Sequence, residues 1–409
     1  MSAGPIKVML VDDSSIIRRL LGRVLDTDPQ ITIAGQAENG VMALERLDEI
    51  DPDIVILDIE MPVMNGLETV TRLRRRRPTL PVIMFSTLTE SGAAATLEAL
   101  SRGADDYVTK PSNTGSFDRT ALEIKATLAP KIHALVDRRR GRPRLRFATP
   151  ATPAAPAAPA PPPERPVDPA TRRPLTPVRP RVQARAATTP ATAPRPSAVR
   201  PVGRPEVVVI GVSTGGPSAL ASVIPQLPAT FGVPVLVVQH MPPIFTRLLA
   251  ERLDGQSALS VAEAHDGAVP QAGQVWFAPG GKHMRVVETA GRAVIRLDES
   301  PPLHSCRPAV DPLFTSAVQT YGGRVLGVVL TGMGRDGFDG AAAIGAAGGQ
   351  VVVQDEETST VWGMPGIVAE GGLAQQVLAL DEIAGALITA TGGSSRLSAA
   401  PPLTRTSRG

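Results

Sequence analysis

The stretch IKVMLVDDS, residues 6–14, is an apolar run that ends in two acids and a serine. The run has the length of a buried strand, and serine is a residue type that begins helices. Residues 16–25 then repeat apolar side chains with the period of a helix, about 3.6 residues. Strand patterns recur four times before residue 137, over 31–37, 53–59, 81–87 and 106–110. Five such β–α units predict a parallel sheet covered by helices on both faces.

Several polar residues fall at the predicted C-terminal ends of these strands: Asp12, Asp13, Asp58, Ser86 and Lys110. Functional sites of parallel sheets lie at such ends. Three carboxylates that meet at one point repel each other, and a hard divalent cation such as Mg²⁺ removes that repulsion. Lys110 adds a positive charge that can pair with a phosphoryl oxygen. The pattern therefore favours a functional acid site over a purely structural domain.

A second alternation of strand and helix patterns covers residues 205–391. Its longest apolar runs are EVVVIGV (206–212), PVLVVQH (234–240), RVLGVVLTG (324–332) and QVVVQD (350–355). Residues 260–298 contain shorter strand patterns, with a hairpin predicted across TAGR, residues 289–292. We therefore expect a second α/β domain built on a parallel sheet.

Three residues just beyond strand ends of this second unit could form a hydrolytic site: Ser213, His240 and Asp336. A serine hydroxyl is a weak nucleophile at neutral pH and needs an adjacent base, which in turn needs an orienting acid. Parallel strands bring their C-terminal ends together, so these side chains can meet. Nearby glycines would let backbone N–H groups approach an oxyanion: Gly215, Gly216, Gly332 and Gly334.

Spacing alone leaves other assignments open. His283 is a rival base, and His240 is preferred because it closes an apolar run expected to be a central strand. Asp336 follows a central strand through a glycine-rich turn, but three other acids compete for the orienting role: Asp311, Asp339 and Asp355. The loop 210–217 could instead bind phosphate at a helix N-terminus, although it lacks a GxGxxG pattern and a Walker lysine.

A spacer separates the two units. Residues 138–204 contain fifteen arginines, no lysine, two acids and seventeen of the 41 prolines. Proline removes backbone donors and the stretch has little apolar surface, so we expect a disordered linker without a core. The linker carries most of the positive charge, and its alternative role is a contact with an anionic partner. Residues 392–409 are expected to form a frayed tail.

The composition of the 409-residue chain limits its class. Hydrophobic residues make up 43%, enough for the cores of two or three domains. No apolar run reaches the roughly 18–20 residues of a membrane span and no signal peptide is evident, so we expect a cytoplasmic protein. The single cysteine, Cys306, excludes an internal disulfide; we expect it to be structural, because nothing in the sequence places it beside a base.

The first unit, residues 5–137, resembles the receiver domain of two-component response regulators. The matching segments are VDDS (11–14), LDIEMPVMNG (57–66), FST (85–87) and TKP (109–111). The resemblance implies a flavodoxin-like fold in which Asp58 accepts a phosphoryl group from a chemotaxis histidine kinase. It implies that Asp12, Asp13 and Asp58 hold Mg²⁺ with the backbone carbonyl of Glu60. Residues that would respond to the phosphoryl group are Ser86, Lys110 and Tyr107, the last at the switch position.

The second unit, residues 205–391, resembles the catalytic domain of chemotaxis protein-glutamate methylesterases, which implies a Rossmann-like fold. The matching segments are IGVSTGGP (210–217), VVQHMP (237–242), FAPGGKHM (277–284), RPAVDPLF (307–314) and LTGMGRDG (330–337). The resemblance implies a triad of nucleophile Ser213, base His240 and orienting acid Asp336. It also places Thr214 and Met333 beside the site, with oxyanion donors from backbone amides near His240 and Met333.

The resemblance further implies an esterase that needs no cofactor and acts on methyl-accepting chemoreceptors. It also implies deamidation of receptor glutamines as a second activity, and activation by phosphorylation of a receiver that otherwise covers the esterase site. The spacer is longer and richer in proline and arginine than the linkers of this family, which leaves the packing of the two domains open.

Two other functions fit parts of the sequence. A DNA-binding regulator predicts a helix-turn-helix after the receiver, whereas residues 205–391 carry strand-rich α/β patterns. The basic isoelectric point invites that interpretation. Aromatic residues make up only 3%, which argues against base-stacking platforms, and no nucleic-acid partner is expected. The other alternative is a nucleotide-binding output module that uses the loop 210–217.

Overall fold

A computed structural model of the chain describes residues 4–111, 117–141 and 203–392. Most of the predicted spacer, residues 142–202, and the predicted tail from residue 393 onward lie outside these ranges. Two α/β domains occupy the described residues, each with a parallel sheet. The predicted fold class is therefore confirmed.

The first domain alternates strands and helices in the predicted order. Its strands are β1 (Ile6–Val11), β2 (Ile31–Ala37), β3 (Ile54–Asp58), β4 (Val82–Ser86) and β5 (Asp106–Thr109). Its helices are α1 (Ser15–Leu25), α2 (Gly40–Ile50), α3 (Gly66–Arg76), α4 (Glu90–Ser101) and α5 (Phe117–Arg139). The last helix ends two residues beyond the predicted boundary at residue 137.

Polar side chains fix the starts of four of these helices. Ser14, Asn39, Asn65 and Thr89 each accept a hydrogen bond from a backbone N–H of the first turn, which satisfies a donor that the helix leaves unpaired. The five strands are parallel and follow the order β2-β1-β3-β4-β5, the flavodoxin-like arrangement. All residues of β3 and β4 are buried, as expected for strands covered on both faces.

The second domain contains nine strands and six helices within residues 203–392. The strands are β6 (Val207–Val212), β7 (Val235–Gln239), β8 (Ser260–Glu263), β9 (Gln274–Phe277), β10 (His283–Thr289), β11 (Arg292–Asp298), β12 (Val325–Val329), β13 (Gln350–Gln354) and β14 (Gln376–Leu378). The helices are α6 (Gly216–Val223), α7 (Phe245–Asp254), α8 (Val310–Tyr321), α9 (Phe338–Ala346), α10 (Met364–Glu370) and α11 (Leu380–Ala390).

Seven of these strands form one parallel sheet in the order β14-β13-β12-β6-β7-β9-β8. β6 is the first strand of this domain. The next strand, β7, pairs on one side of it, and β12 pairs later on the other side. The order of the strands therefore reverses beside β6, and ligands of doubly wound sheets bind at such a reversal. The predicted hairpin is present as β10 and β11, paired across Thr289 and Arg292.

Three elements near the end of this domain have no counterpart among the predicted ones: α10, β14 and α11. The edge strand β14 is only three residues long and mostly exposed, so its sequence carries no buried-strand pattern. Within the described residues, no helix is both long enough and apolar enough to cross a membrane.

Candidate functional site

Neighbouring strands of the second sheet deliver the three predicted hydrolytic residues to one edge. Ser213 follows β6, His240 follows β7, and Asp336 lies in the turn between β12 and α9. Since β12, β6 and β7 are adjacent and parallel, their C-terminal ends open onto the same side of the sheet. These C-terminal strand ends lie beside β6, where the strand order reverses.

A hydrogen bond joins the predicted base to the predicted acid. Nε2 of His240 lies 2.8 Å from Oδ2 of Asp336, and both side chains are largely buried. The Asp336 carboxylate also accepts backbone N–H groups of Val310 at 2.6 Å and Asp311 at 3.0 Å, in the first turn of α8. Gly211 in β6 allows that approach, because a Cβ there would collide with Val310. The carboxylate is thus held from two sides before any substrate binds.

The contacts of His240 and Asp336 raise the pKa of the imidazole and lower the pKa of the carboxyl group, which favours the charged form of each. Burial lowers the pKa of His240, but hydrogen bonds to Asp336 and Cys306 outweigh it and raise the value to about 10. Burial raises the pKa of Asp336, but the hydrogen bond with His240 and the backbone donors outweigh it and lower the value. Asp336 is therefore ionised at neutral pH and stabilises the positive charge that a general base acquires.

The turn that carries Ser213 is tightly held by backbone hydrogen bonds. Its N–H donates to Thr331 O at 3.0 Å, and its carbonyl accepts the N–H of Gly216 at 2.8 Å. Gly215 has a φ of +77°, a left-handed conformation that a side chain would strain. Among the described residues the Ser213 hydroxyl makes no hydrogen bond, and the residue is only half-buried. The hydroxyl is therefore accessible and uncommitted.

Gln239, the last residue of β7, is a buried partner of this turn that the sequence did not single out. Its Nε2 donates to the carbonyl of Ser213 at 2.9 Å and lies 3.4 Å from the carbonyl of His240. Its Oε1 occupies the space where a Cβ of residue 216 would project, which explains the glycine at that position. One amide group thereby links the serine turn to the histidine strand. A strand-end glutamine gives no sequence signal of this role.

The structure places Cys306 beside a base, contrary to the sequence-based expectation. Its Sγ lies 3.5 Å from Nδ1 of His240, although the two residues are 66 positions apart. The loop between β11 and α8 brings it there. Nothing in the spacing of the sequence indicates that approach.

The rival residues have other partners. The buried imidazole of His283 accepts the N–H of Ala309 at 3.2 Å and lies 3.2 Å from Pro301 O, so it anchors a loop. Asp311 pairs with His304 at 3.2 Å rather than with His240. Asp339, which is exposed, pairs with half-buried Arg335, and Asp355 accepts hydrogen bonds from Thr358.

The two predicted neighbours of the serine and the acid lie in the turns after β6 and β12. Thr214 is buried, and its carbonyl accepts the hydroxyl of Thr331 at 2.9 Å. Met333 lies in the turn after β12. The residue before it, Gly332, passes so close to Ser213 that a Cβ there would collide with the serine. Both turns therefore approach the serine closely.

The first sheet carries a separate acid site at the C-terminal ends of its strands. Carboxylate oxygens of Asp12, Asp13 and Asp58 lie within 4.8 Å of one another. Lys110 Nζ bridges two of them, 2.9 Å from Asp12 Oδ2 and 2.8 Å from Asp58 Oδ2. The opening onto these groups is lined in part by Asp13, Asp58 and Glu60. The predicted cluster is thus brought together.

The electrostatics of this acid site leave negative charge uncompensated. Burial raises the pKa of Asp58 to about 6, with Asp12 adding repulsion, even though Lys110 opposes the shift. Three carboxylates face one ammonium group. An all-oxygen donor set with excess negative charge fits a hard divalent cation such as Mg²⁺.

The other predicted residues of the first domain surround this acid site in different ways. The Ser86 hydroxyl is buried and donates to the carbonyl of Gly92 in α4 at 3.1 Å, and Ser86 lines the same opening as Asp58 and Lys110. Tyr107 lies on β5, and its ring stacks on Phe245 of α7 at 4.8 Å between centroids. Two ion pairs also join α4 to α7: Arg247 with Glu90 at 2.9 Å, and Arg252 with Glu98 at 3.0 Å.

Two families of known proteins match the two domains. Residues 8–120 match the model of the response regulator receiver domain. Residues 208–387 match the model of the CheB methylesterase. The matches fall on the two sheets described above.

Curated relatives extend the similarity over nearly the whole chain. A protein-glutamate methylesterase/protein-glutamine glutaminase of Trichodesmium erythraeum is 42% identical over 386 residues, which are 94% of this chain and 99% of that protein. A protein of the same name from a Nocardioides strain is 45% identical and covers 92% of this chain and 93% of its own. A crystal structure of the Thermotoga maritima CheB methylesterase catalytic domain is 45% identical, covers 45% of this chain and 98% of that one, and has a TM-score of 0.45.

Proposed function

Because the chain belongs to the protein-glutamate methylesterase/protein-glutamine glutaminase family, we propose that it hydrolyses glutamate methyl esters on chemoreceptors through Ser213, His240 and Asp336. The observation that carries the proposal is the buried His240–Asp336 hydrogen bond at the sheet edge where Ser213 presents its hydroxyl. A base with its orienting acid, and an accessible serine at the end of the neighbouring strand, are the parts that acyl transfer requires.

The proposed reaction has two steps. Ser213 Oγ attacks the side-chain carbonyl carbon of the methylated glutamate while His240 takes the hydroxyl proton. His240 then gives that proton to the departing methanol, which leaves an acyl group on Ser213. Water, deprotonated by His240, then attacks the acyl carbon. His240 returns that proton to Ser213 Oγ as the acyl–oxygen bond breaks and glutamate is released. Asp336 orients the imidazole and stabilises its charged form in both steps.

The turns around Ser213 supply the remaining parts. We assign Thr214 and Met333 to the walls of the site, and backbone N–H groups near Met333 and His240 to the developing oxyanion. The same chemistry deamidates glutamine, because ammonia can replace methanol as the leaving group. The esterase reaction needs no cofactor, since each proton has a side chain to carry it.

The acid site is proposed to switch this activity. Asp58 accepts a phosphoryl group from a histidine kinase, and Lys110 pairs with an oxygen of that group. Mg²⁺ would be held by Asp12, Asp13, Asp58 and the carbonyl of Glu60, and when bound it neutralises phosphoryl charge. Ser86 would turn from Gly92 towards the phosphoryl group and carry α4 with it.

Regulation would then pass through Tyr107, which stacks on α7 of the esterase domain. In this proposal the unphosphorylated receiver restrains the esterase site, and phosphorylation loosens the contacts of α4 with α7. The partners are a chemotaxis histidine kinase and methyl-accepting chemoreceptors, met in the cytoplasm. The domain limits proposed are 5–137 for the receiver and 205–391 for the esterase, with 138–204 as linker and 392–409 as tail.

Methanol release from methylated receptor membranes tests the function directly. The full chain should release methanol, and a small-molecule phosphodonor with Mg²⁺ should increase the rate. A chain that binds receptors but releases neither methanol nor ammonia would contradict the proposal. Nucleotide titration of the same protein tests the alternative output module, which predicts saturable binding near residues 210–217.

A further inference from the structure

The catalytic imidazole has both of its nitrogens engaged. Asp336 holds one nitrogen at 2.8 Å, and the sulfur of Cys306 lies 3.5 Å from the other. Both distances satisfy hydrogen bonding for their atom types, since sulfur forms longer contacts than oxygen. The ring is largely buried, with about a tenth of its side chain exposed.

This arrangement matters because an imidazole has only two nitrogens. One of them must remain on the orienting acid throughout the reaction, so the other must accept the proton of Ser213. That second nitrogen is the one beside Cys306. Within the described part of the chain, the Ser213 hydroxyl has no hydrogen bond to it or to any other group. The sulfur and the nucleophile therefore compete for the same atom.

Resting on the proposed function, we propose that Cys306 is a positioning residue that holds the base His240 disengaged from the nucleophile. Proton transfer from Ser213 then requires the Sγ···Nδ1 contact to break. When the ring is protonated, its Nδ1–H donates to the sulfur of Cys306. When Nδ1 is unprotonated, the thiol S–H and the Ser213 hydroxyl compete to donate a hydrogen bond to it. The thiol itself takes no part in bond making or breaking.

The charges around the base determine the sign of the expected effect. Asp336 and Cys306 contact His240 directly, while Asp311 pairs with His304 and donates its backbone N–H to Asp336. Cys306 adds to the hydrogen bonding that raises the pKa of His240. Removing the sulfur should therefore lower that pKa, and the base should lose its proton at a lower pH.

The test is the pH profile of kcat/KM for methanol release by the full chain. For wild type we expect an acid limb well above the ordinary pKa of histidine. For Cys306→Ala the limb should move about one pH unit lower. At a pH below both limbs, the variant should then have about tenfold more unprotonated base than wild type and a kcat/KM about tenfold higher. Cys306→Ser keeps a smaller hydrogen-bonding group at the same place and should fall between the two.

Ser305→Ala is the matched control. Ser305 is the preceding residue; it is exposed and makes no side-chain hydrogen bond within the described ranges, so its profile should superimpose on that of wild type. Thermal melting of all four proteins separates folding defects from changes of the base. A merely structural thiol would change the melting temperature or the height of the profile and leave the position of the acid limb unchanged.

Two results would overturn the inference: an acid limb that stays in place in both Cys306 variants, or one that moves to higher pH. Either result would leave the proposed function standing as long as the wild-type chain releases methanol. The proposed function would fail separately, if wild type released no methanol or if Ser213→Ala kept its activity.

Discussion

The acid site of the first sheet and the serine site of the second use the same architecture for opposite electrostatic tasks. Both lie at the C-terminal ends of parallel strands. The acid site gathers three carboxylates around one ammonium and remains short of positive charge. The serine site pairs every charge that it contains, since Asp336 satisfies His240 and two backbone donors.

This difference indicates which site depends on an external group. A site with excess negative charge binds best after a cation arrives, so its activity follows the supply of cation and phosphodonor. The serine site already pairs its charges, so it needs no added ion, and the change left to it is the local release of His240 Nδ1 from Cys306. We therefore expect the receiver site to depend on added cation and phosphodonor, and the esterase site to depend only on its own side chains. Substitutions in each site can test that division.

The largest effect should come from the serine site. Ser213→Ala removes the only nucleophile of the proposed reaction, while its small methyl group preserves the turn. Methanol release should fall by at least about 10³-fold, because loss of a triad nucleophile removes the covalent route. Unchanged melting with lost turnover would support the division between the sites. Retained turnover would exclude Ser213 as nucleophile.

The next largest effect should come from Asp58→Asn in the acid site. The amide cannot accept a phosphoryl group, so the ratio of activities with and without phosphodonor should fall to about one. Phos-tag gels of the same samples report whether any phosphoryl group is attached. Equal stimulation of the variant and wild type would show that the acid site is not the one that responds to the phosphodonor.

A smaller effect is expected from Gln239→Leu, which tests whether the serine site is preformed. The leucine cannot donate to the carbonyl of Ser213, and a hydrogen bond of this kind contributes about 0.5–1.5 kcal/mol. We expect a lower kcat with little change of KM, measured by methanol release at saturating receptor. Gln226→Leu is the matched control, because that side chain is exposed and lies outside the site.

The smallest effect should come from the ion pair between Arg252 and Glu98, which joins the two domains. Both side chains are partly exposed, so Arg252→Ala should lower the free energy of unfolding by at most about 1 kcal/mol. If α4 restrains α7, unstimulated methanol release should nevertheless rise slightly. A fall in unstimulated activity would argue against restraint through this contact.

Much of the fold and of the sites could be predicted because their signals are local. Strands buried on both faces are continuous apolar runs, and polar residues mark their C-terminal ends, as at Asp58 and His240. The choice of Asp336 over Asp311 could not be made from spacing, since it depends on how α8 approaches β6. The contacts of Cys306 and Gln239 could not be predicted either. Both arise from residues distant in sequence that meet only through packing, without any periodic pattern.

The direction of β6 determines where the segment that precedes it joins the second domain. The strand enters the sheet at Val207 and delivers Ser213 at the opposite edge, about 20 Å further along. Insertions, deletions and fusion tags placed upstream of the strand therefore join the domain at the edge remote from the chemistry. A change in the length or composition of the interdomain segment leaves Ser213 in register with the ends of β7 and β12.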